Sequence, residues 1–429
     1  MNTSPLFLGI DFGTSGCRAV AIDAAAEVVA RAECPLPEPL QRGAAGREQD
    51  PRLWWEALLS VLADIARQVP AGSIGALSID GTSGTLLVID ATGRPLDAAL
   101  LYHDARSRHE ADEISRIAPP DCAAAGPTSA LAKLLYWQRQ SIARDIRHAL
   151  HQADWMTARL TGRFGISDEN NALKLGYDAV RRMWPPWFAE LGVRTELLPA
   201  VVSPGTIIGV VNDPEVLKLG YVGDLKVVAG TTDGVAAFIA TGAARIGDAV
   251  TSLGSTLVVK LLSDRPIYSA ADGVYSHRLG DTWLAGGASN SGGAVLLRYF
   301  SIARMEALTP QLDPDRPTGL DYYPLAAPGE RFPINDPALA PRLSPRPPDD
   351  ATFFQAMLEG MARIEALGYQ RLQELGAPRP IRVLTAGGGA RNAAWTRIRR
   401  RTLGLPVERP QHDEACYGAA LIARGAIVS

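Results

Sequence analysis

The feature of this sequence that most constrains its fold is a short pattern that occurs twice: an apolar strand, a turn of small residues with glycine, and a second apolar strand. The first copy is GIDFGTSGCR, residues 9–18, and the second is AVTSLGSTLVVKLL, residues 249–262. Short apolar runs on both sides of a glycine turn predict a β-hairpin. The repetition predicts two related domains that face each other across a cleft.

The length of the chain agrees with two domains. At 429 residues it exceeds the size at which single hydrophobic cores usually stop growing, and we place the domains at residues 1–238 and 239–429. Hydrophobic residues make up 47% and charged residues 21% of the chain, which is ordinary for a soluble globular enzyme. A formal net charge of −3 gives no field that would attract nucleic acid or an anionic membrane. The basic cluster Arg397–Arg401 is expected to be the solvated face of a helix.

The cysteines and the hydropathy pattern bear on location. The four cysteines are scattered without a paired spacing, which argues against a disulfide framework and against a zinc site. No apolar stretch reaches the roughly 18 residues that a membrane helix needs, and the N-terminal residues show no targeting pattern. We therefore expect a soluble protein of the reducing cytoplasm.

Strand and helix signals alternate in the first third of the chain, which is typical of an α/β fold. Asp50-Pro51 is a cap followed by the first residue of a helix, and a strand over 74–79 ends at DGTSGT and resumes as LLVID. Residues 130–198 are expected to be mainly helical. The proline-rich residues 310–348 predict an ordered surface excursion or a linker, because proline cannot complete a β-ladder.

The two glycine turns have the composition of phosphate-binding loops. Backbone N–H groups in a tight turn form a concavity that attracts anions, and glycine lets a phosphate approach the main chain. One turn is Gly13, Thr14 and Ser15, and the other is Gly254, Ser255 and Thr256. Each turn alone could be purely structural, but their occurrence in separate predicted domains favours a nucleotide clamp.

Two aspartates end predicted strands beside these turns. Phosphoryl transfer needs a magnesium ion, donors for the phosphate oxygens and a base for the attacking hydroxyl. Mg²⁺ commonly takes one or two carboxylates, which Asp11 could supply, and Asp233 could be the base. The alternative for Asp233 is a helix N-cap, since a helix is predicted to begin there.

Other routes to nucleotide binding and catalysis are excluded by their missing motifs. The chain contains no G-x-x-x-x-G-K-[ST] and no G-x-G-x-x-G that opens a helix, and it has no nucleophile elbow of a serine hydrolase. The triple glycine in GGGARN, residues 387–392, could accept a flat purine against the backbone or could allow tight packing between a strand and a helix. The sequence leaves these two interpretations open.

Taken together, these stretches resemble the FGGY family of carbohydrate kinases, which belongs to the superfamily of actin, hexokinase and heat-shock chaperone ATPases. The resemblance extends over nearly the whole chain and follows the order of the family's landmarks. The stretches that carry it are GIDFGTSGCR, EQDPRLWW, YHDARS, LTGRFGISDENNALKLGYD, AGTTDG, SLGST, YYPLAAPGERFP, LTAGGGARN and EACYGAALIA.

The resemblance implies an α/β fold with two ribonuclease-H-like (actin-like ATPase) domains flanking a deep cleft. It implies that the first domain binds the sugar and the second binds ATP. By position in the matching motifs, it assigns roles to the following residues: Asp11 and Thr14 where sugar, Mg²⁺ and γ-phosphate meet, Asp233 as general base and second metal ligand, Asp104 as a sugar contact, Gly254, Ser255 and Thr256 as the second phosphate turn, and Gly387, Gly388 and Asn392 as the adenosine contact.

The stretch SIDGTSGTLLVID departs from two subgroups of the family. It lacks the Gln-Met-His-Gly pattern of typical bacterial xylulose kinases and the Arg-Glu pair of glycerol kinases, and it resembles a compact subgroup of pentulose kinases that includes ribulose kinases. Its Ser83 is a candidate contact to a sugar hydroxyl or, alternatively, a serine satisfied by its own turn.

The activity that the resemblance implies is ATP-dependent phosphorylation of the terminal primary hydroxyl of a small ketose, D-xylulose or D-ribulose. The alternatives are a kinase of another polyol such as glycerol or erythritol, and an actin-like ATPase without a sugar substrate. The expected ligands are the sugar, ATP and Mg²⁺, and a homodimer is a further expectation.

Overall fold

The computed structural model describes residues 5–428, so the first four residues of the N-terminal stretch that bears on targeting lie outside the described residues. The fold is mixed α/β and divides into two compact units. The first unit comprises Met1–Ala240 with Glu414–Ser429, and the second comprises Thr241–Asp413. The predicted boundaries place the C-terminal helix Ala415–Val428 in the second domain, and in the structure it groups with the first unit; those boundaries stay a prediction.

Strands and helices both occur along the whole of the described chain. The strands are Leu6–Phe12 (β1), Gly16–Ile22 (β2), Val28–Pro35 (β3), Leu40–Arg42 (β4), Gly46–Gln49 (β5), Ile74–Gly81 (β6), Leu86–Ile89 (β7), Ala99–Leu100 (β8), His148–His151 (β9), Ile166–Asp168 (β10), Ala200–Val202 (β11), Ile207–Val210 (β12), Lys226–Val228 (β13), Asp248–Leu253 (β14), Leu257–Ser263 (β15), Tyr275–Leu279 (β16), Thr282–Ser289 (β17), Arg382–Ala386 (β18) and Val407–Glu408 (β19). The helices are Pro51–Gln68 (α1), Arg108–Ile117 (α2), Ala130–Gln138 (α3), Gln152–Thr161 (α4), Glu169–Ala172 (α5), Pro214–Leu217 (α6), Asp233–Ala240 (α7), Gly293–Leu296 (α8), Ile302–Leu308 (α9), Asp350–Glu374 (α10), Ala393–Leu403 (α11) and Ala415–Val428 (α12).

The core of the first unit is a six-stranded sheet in the order β12-β13-β6-β1-β2-β3. β1 and β2 form the predicted antiparallel hairpin, whereas β1–β6 and β6–β13 are parallel pairs. Side chains of a strand alternate between the two faces, so Leu8 and Ile10 pack with α1 while Phe7 packs with α12. The predicted cap of α1 is confirmed, because the Asp50 carboxylate accepts a hydrogen bond from the backbone N–H of Arg52.

A smaller five-stranded sheet, β4-β5-β8-β7-β9, also belongs to the first unit, and it packs with α2 and α3 in a separate hydrophobic core. The expectation that residues 130–198 are mainly helical is wrong in part. α3, α4 and α5 lie there, but β9 pairs with β7 as a strand, and β10 and short 3-10 turns occupy much of the rest. β9 is a four-residue strand, too short for its pattern to reveal its type.

The second unit contains a six-stranded sheet in the order β16-β17-β15-β14-β18-β19. β14 and β15 form the second predicted hairpin, and β14 lies parallel to β18. The helices α10 and α11 contribute much of its core. The proline-rich residues 310–348 form no helix or strand beyond a 3-10 turn at their start, yet Tyr322 and Phe332 are buried, so this segment is an ordered excursion anchored by aromatic side chains.

One prediction about charge is wrong. Arg399, within the basic cluster expected to be solvated, is fully buried, and its guanidinium forms a two-pronged ion pair with the buried carboxylate of Glu365 at 2.6 Å. The same guanidinium donates to the Thr385 hydroxyl. The buried position of Arg399 exists only because α10 and α11, which are distant in the chain, pack together. The local charge pattern cannot reveal such a contact.

Among the residues that the structure describes, no helix combines the length and the hydropathy needed to cross a membrane.

Candidate active site

Two aspartates meet at one edge of the large sheet in the first unit. β1 and β6 are parallel, and their register places Asp11 directly beside Asp80. The next residue along β6, Gly81, forms an isolated bridge with Thr232, which precedes Asp233 in the chain. The carboxyl ends of parallel strands therefore bring three aspartates to the same edge, where ligands of open α/β sheets commonly bind.

The environment of Asp80 favours its protonated form. The residue is fully buried, and neither carboxyl oxygen accepts a hydrogen bond from another described residue. Burial raises the pKa of Asp80 well above its usual value, and the nearby charges of Asp11 and Asp233 raise it further. A protonated Asp80 can donate to Asp11. The sequence analysis missed Asp80 as a member of this group, although it ends a predicted strand just as Asp11 does.

Asp11 is the member of this pair that also faces a cation. Its Oδ2 lies 3.5 Å from Nη1 of Arg18. Burial raises the pKa of Asp11, while the hydrogen bond with Asp80 and the charge of Arg18 act in the opposite direction. The net effect is a raised pKa for Asp11.

Asp233 is the first residue of α7 and is partly exposed. Its Oδ1 accepts a hydrogen bond from the backbone N–H of Gly234 at 2.6 Å. Because the helix begins at Asp233 itself, the preceding Thr232 occupies the cap position and accepts the first helical hydrogen bonds through its carbonyl. Asp233 thus presents a carboxylate at a helix N-terminus, where the helix dipole favours the charged form.

The first glycine turn joins β1 to β2 at the same edge. The Gly13 N–H donates to the Gly16 carbonyl at 3.0 Å, and Thr14 and Ser15 complete the turn. A Cβ built on Gly13 would meet nothing closer than 3.6 Å, so the space above this glycine is open. A ligand can therefore approach the main chain of the turn.

The turn that follows β6 contains the candidate sugar contact. Gly84 has a φ of +88°, a conformation that favours glycine. The hydroxyl groups of Thr82 and Thr85 are hydrogen-bonded to each other at 2.5 Å. The hydroxyl oxygen of Ser83, in contrast, is buried without a hydrogen-bond partner, so its own turn does not satisfy it.

Asp104 is placed differently from the other predicted residues. It is fully buried, and its carboxylate accepts from the Arg47 N–H at 2.6 Å and from the guanidinium of Arg106 at 2.8–3.0 Å. These bonds engage both carboxyl oxygens. These bonds hold the loop that follows β8, and a contact of Asp104 with the sugar stays a prediction.

In the second unit, the predicted Gly254–Thr256 turn lies between β14 and β15. The Gly254 N–H donates to the Thr256 carbonyl at 3.2 Å, and the N–H groups of Gly293 and Ala294 donate to the carbonyls of Gly254 and Ser255. A Cβ on Gly254 would find its nearest neighbour at 3.8 Å. As at Gly13, the backbone of the turn is open to a ligand.

The triple glycine follows β18, which pairs with β14, so both glycine segments lie at one sheet edge. Gly387 has a φ of +84° and donates its N–H to Asp413 Oδ2 at 2.9 Å. A Cβ on Gly389 would lie 2.6 Å from the Trp395 ring. Asn392 caps α11 by accepting from the Trp395 N–H. Tight packing is thus one function of this segment, while Gly388 faces open space.

A largely apolar cavity of about 560 Å³ lies between these two segments. Of the predicted residues, Gly254, Ser255, Gly388 and Asn392 line it, whereas Thr256 and Gly387 do not. The sequence analysis missed its apolar walls, which come from α8, α9, α10 and α11 and include the following side chains: Leu296, Ile302, Met305, Phe354 and Trp395. Ligand pockets commonly combine such walls with a few polar groups.

Comparison with known proteins agrees with this geometry. The sequence model of the N-terminal domain of the FGGY family of carbohydrate kinases matches residues 6–240, and that of the C-terminal domain matches residues 249–427. A xylulose kinase of Streptomyces coelicolor is 31% identical over 445 residues, covering 98% of this chain and 88% of that protein. A gluconokinase of Bacillus subtilis is 23% identical over 457 residues, covering 97% and 85%.

A solved structure described as a "xyloylose kinase" from Brucella ovis superimposes with a TM-score of 0.90 at 25% identity, covering 98% of this chain and 90% of that one. The expected actin-like ATPase fold with two domains is thereby confirmed. The chain belongs to the FGGY family of carbohydrate kinases, and it is a phosphotransferase that acts on a carbohydrate.

Proposed function

We propose that this kinase transfers the γ-phosphate of ATP to the terminal primary hydroxyl of a small ketose, D-xylulose or D-ribulose. The observation that carries the proposal is the meeting of Asp11, Asp80 and Asp233 at one sheet edge beside the open turn at Gly13. Phosphoryl transfer depends mainly on positioning and on charge stabilisation, with a group that accepts the proton of the attacking hydroxyl.

Asp233 is the general base in this proposal. It is partly exposed and stands at a helix N-terminus, so it is both accessible to a hydroxyl group and favoured as a carboxylate. Asp80 is unsuited to the role because it is fully buried and its pKa is raised well above the usual value by burial and by the charge of Asp11. A positioned base of this kind contributes about 10²–10⁴-fold to the rate.

Asp11 and Asp233 would hold Mg²⁺. The described residues contain no group of three or more His, Cys, Asp or Glu side chains arranged to bind a metal ion. Mg²⁺ in kinases is usually held by one or two carboxylates together with water and phosphate oxygens, so the residues present fit this ion. When bound, Mg²⁺ neutralises charge on the transferring phosphate.

The second unit would bind the nucleotide. Its apolar cavity, which Trp395 and Phe354 help to line, has the size and character to take an adenine ring, and Asn392 and Thr309 supply polar groups at its wall. The open backbone at Gly254 and Ser255 would receive phosphate oxygens. This assignment keeps the nucleotide and the acceptor on different units of the chain.

The proposed acceptors rest on two observations. The xylulose kinase relative favours D-xylulose, and the small hydroxyl side chains at Thr82 and Ser83, which resemble those of ribulose-phosphorylating relatives, favour D-ribulose. The unpartnered Ser83 hydroxyl would bond to a sugar hydroxyl. The gluconokinase relative supports a second candidate, another small polyhydroxylated acceptor.

The test is acceptor-dependent release of ADP, measured with D-xylulose, D-ribulose, gluconate, glycerol and erythritol in the presence of ATP and Mg²⁺. We expect the highest kcat/KM with one of the two pentuloses. A higher value with glycerol, erythritol or gluconate would reject the pentulose assignment. ADP release at the same rate with and without every acceptor would favour a sugar-independent ATPase.

We further propose that the protein works in a reducing cytoplasm, because none of its four cysteines forms a disulfide in the structure.

A further inference from the structure

Lys133 is a fully buried lysine in α3. Its Nζ donates hydrogen bonds to two backbone carbonyls, Gly84 O and Leu101 O, each at 2.7 Å. The two carbonyls lie in segments that are far apart in the chain. A single ammonium group therefore joins the turn after β6 to the loop after β8.

The two segments form one continuous part of the proposed acceptor site. Gly84 directly follows Ser83, whose buried hydroxyl has no partner. Leu101 precedes the exposed pair Tyr102 and His103, whose rings are 4.5 Å apart. A second bond joins the same segments, from the Tyr102 N–H to the Thr85 hydroxyl at 3.0 Å. The direction of the Ser83 hydroxyl therefore depends on this junction.

Burial of a lysine at this position costs free energy of desolvation. Among the described residues, its Nζ donates to these two carbonyls and to no carboxylate. The oxygens of nearby Asp104 accept instead from the Arg47 N–H and from the Arg106 guanidinium. Burial lowers the pKa of Lys133 to about 7, although the charge of Asp104 opposes this shift. An apolar residue of similar length would fill the same volume without the desolvation cost. What only the lysine supplies is the pair of donors that fixes the two carbonyls.

We propose that Lys133 is a positioning residue of the acceptor site: it holds the Thr82–Thr85 turn against the Leu101–Asp104 loop so that Ser83 faces the acceptor. The inference rests on the proposed function, because it takes Ser83 as an acceptor contact. Lys133 itself touches neither substrate in this proposal. Its removal should weaken acceptor binding and leave nucleotide binding in the second unit unchanged.

The test compares Lys133→Met with Lys218→Met, a control that removes an exposed lysine directly after α6. We expect Lys133→Met to raise the KM for the acceptor at least about tenfold, with a smaller change in kcat and a change of less than twofold in the dissociation constant of a non-hydrolysable ATP analogue. Lys218→Met should leave all three values within twofold. If Lys133 contributed only to stability, Lys133→Met would lower the yield of folded enzyme. The folded fraction would then not show a raised acceptor KM with a smaller change in kcat.

An acceptor KM within twofold of the wild-type value in folded Lys133→Met would overturn the proposal. If this variant does not fold, Lys133→Gln, which keeps two N–H donors on a shorter side chain, should show an intermediate increase of about three- to tenfold, and an unchanged KM would again overturn it.

Failure of the proposed function is distinguishable, because the wild type would then show no ketose-dependent ADP release. In that case amide hydrogen exchange decides: protection of residues 82–85 and 101–104 that is equal in wild type and variant would reject the role of Lys133.

Discussion

Asp11 and Asp80 occupy equivalent positions on neighbouring strands, but their surroundings differ. Asp11 lies beside Arg18 and an open glycine turn, whereas Asp80 is sealed from solvent with no donor to its oxygens. Two adjacent carboxylates do not both ionise readily, so the more buried one keeps its proton. Asp233, at the start of α7 and partly exposed, is therefore the aspartate of this group that we propose as the general base.

We predict that Asp233→Asn lowers kcat by at least about 100-fold, because the amide cannot accept the hydroxyl proton. Affinity for an ATP analogue should change by less than about threefold, since the apolar cavity belongs to the second unit. Steady-state kinetics and calorimetry measure the two quantities. Asp224→Asn, at an exposed position before β13, is the matched control, and a kcat of Asp233→Asn close to that of the control would remove Asp233 from the mechanism.

Lys133 also predicts a specific dependence of stability on pH. Its pKa is lowered to about 7 by burial in the folded state and is about 10.4 in an unfolded chain, so between these values unfolding takes up a proton. The free energy of unfolding is therefore not reduced by this group above about pH 10.4. It decreases as the pH falls, and the loss is complete once the pH has fallen through about 7. Between pH 7.5 and 9, the unfolding free energy of the wild type should rise relative to that of Lys133→Met by about 1.4 kcal/mol per pH unit. Urea titrations at several pH values measure the slope, and parallel curves for the two proteins would contradict it.

At the scale of elements, the apolar cavity of the second unit lies at the ends of two parallel strands. β14 leads into the Gly254 turn, and β18 leads into the triple glycine. Deeper in the same strands, Thr251 and Thr385 form a register pair, and the Glu365–Arg399 ion pair bonds to both hydroxyl groups. This buried network fixes the two strands relative to each other just before they open into the glycine segments.

We predict that Gly254→Val lowers affinity for ATP at least about tenfold while the protein stays folded. A Cβ at this position meets no atom of the protein closer than 3.8 Å, so the branched side chain would occupy the space proposed for the phosphates. The control is Gly223→Val, at a glycine of the first unit that also has open space around it. Calorimetry with an ATP analogue measures the effect, and equal affinity in both variants would make the Gly254 turn purely structural.

Local patterns were sufficient to predict several elements and part of the site. The two hairpins, the cap of α1 and the cavity-lining residues Gly254 and Gly388 follow from glycine turns and apolar runs that lie within a few residues of each other. The burial of Arg399 and the pairing of Asp11 with Asp80 depend on contacts between segments that are distant in the chain. Sequence spacing carries no information on such register. The assignment of Asp104 to the sugar stays a prediction, and in the structure the neighbouring Arg106 engages its carboxylate.

At the scale of the whole molecule, α12 completes the first unit by packing unusually close to its partners. A Cβ on Gly9 of β1 would lie 1.9 Å from the Cys416 carbonyl, and a Cβ on Gly418 would lie 1.9 Å from the Ala236 carbonyl of α7. Because glycine has no Cβ, it permits the backbones to approach so closely. The helix is therefore fitted between β1 and α7. The small residues of EACYGAALIA, one of the stretches that resemble the family, have a packing role here.

We predict that Gly418→Ala destabilises the protein by about 2–4 kcal/mol, because the added methyl group must displace main-chain atoms. Gly425→Ala on the same helix is the matched control. Its Cβ would meet nothing within 4 Å, so it should be neutral or should stabilise the helix by up to about 1 kcal/mol. Chemical denaturation of both variants measures the difference, and equal unfolding free energies would refute the close packing of α12.

The chain leaves the first unit after Ala240, forms the second unit, and returns at Glu414. During synthesis on the ribosome, the segment that covers Phe7 and Ala76 is therefore made only after the entire second unit has been translated. The face of the first unit's sheet that carries Phe7 and Ala76 therefore stays uncovered while some 170 further residues are synthesised. The second unit is synthesised as one continuous segment, so we expect it to fold first. The first unit, although it begins nearer the N-terminus, should complete its folding last.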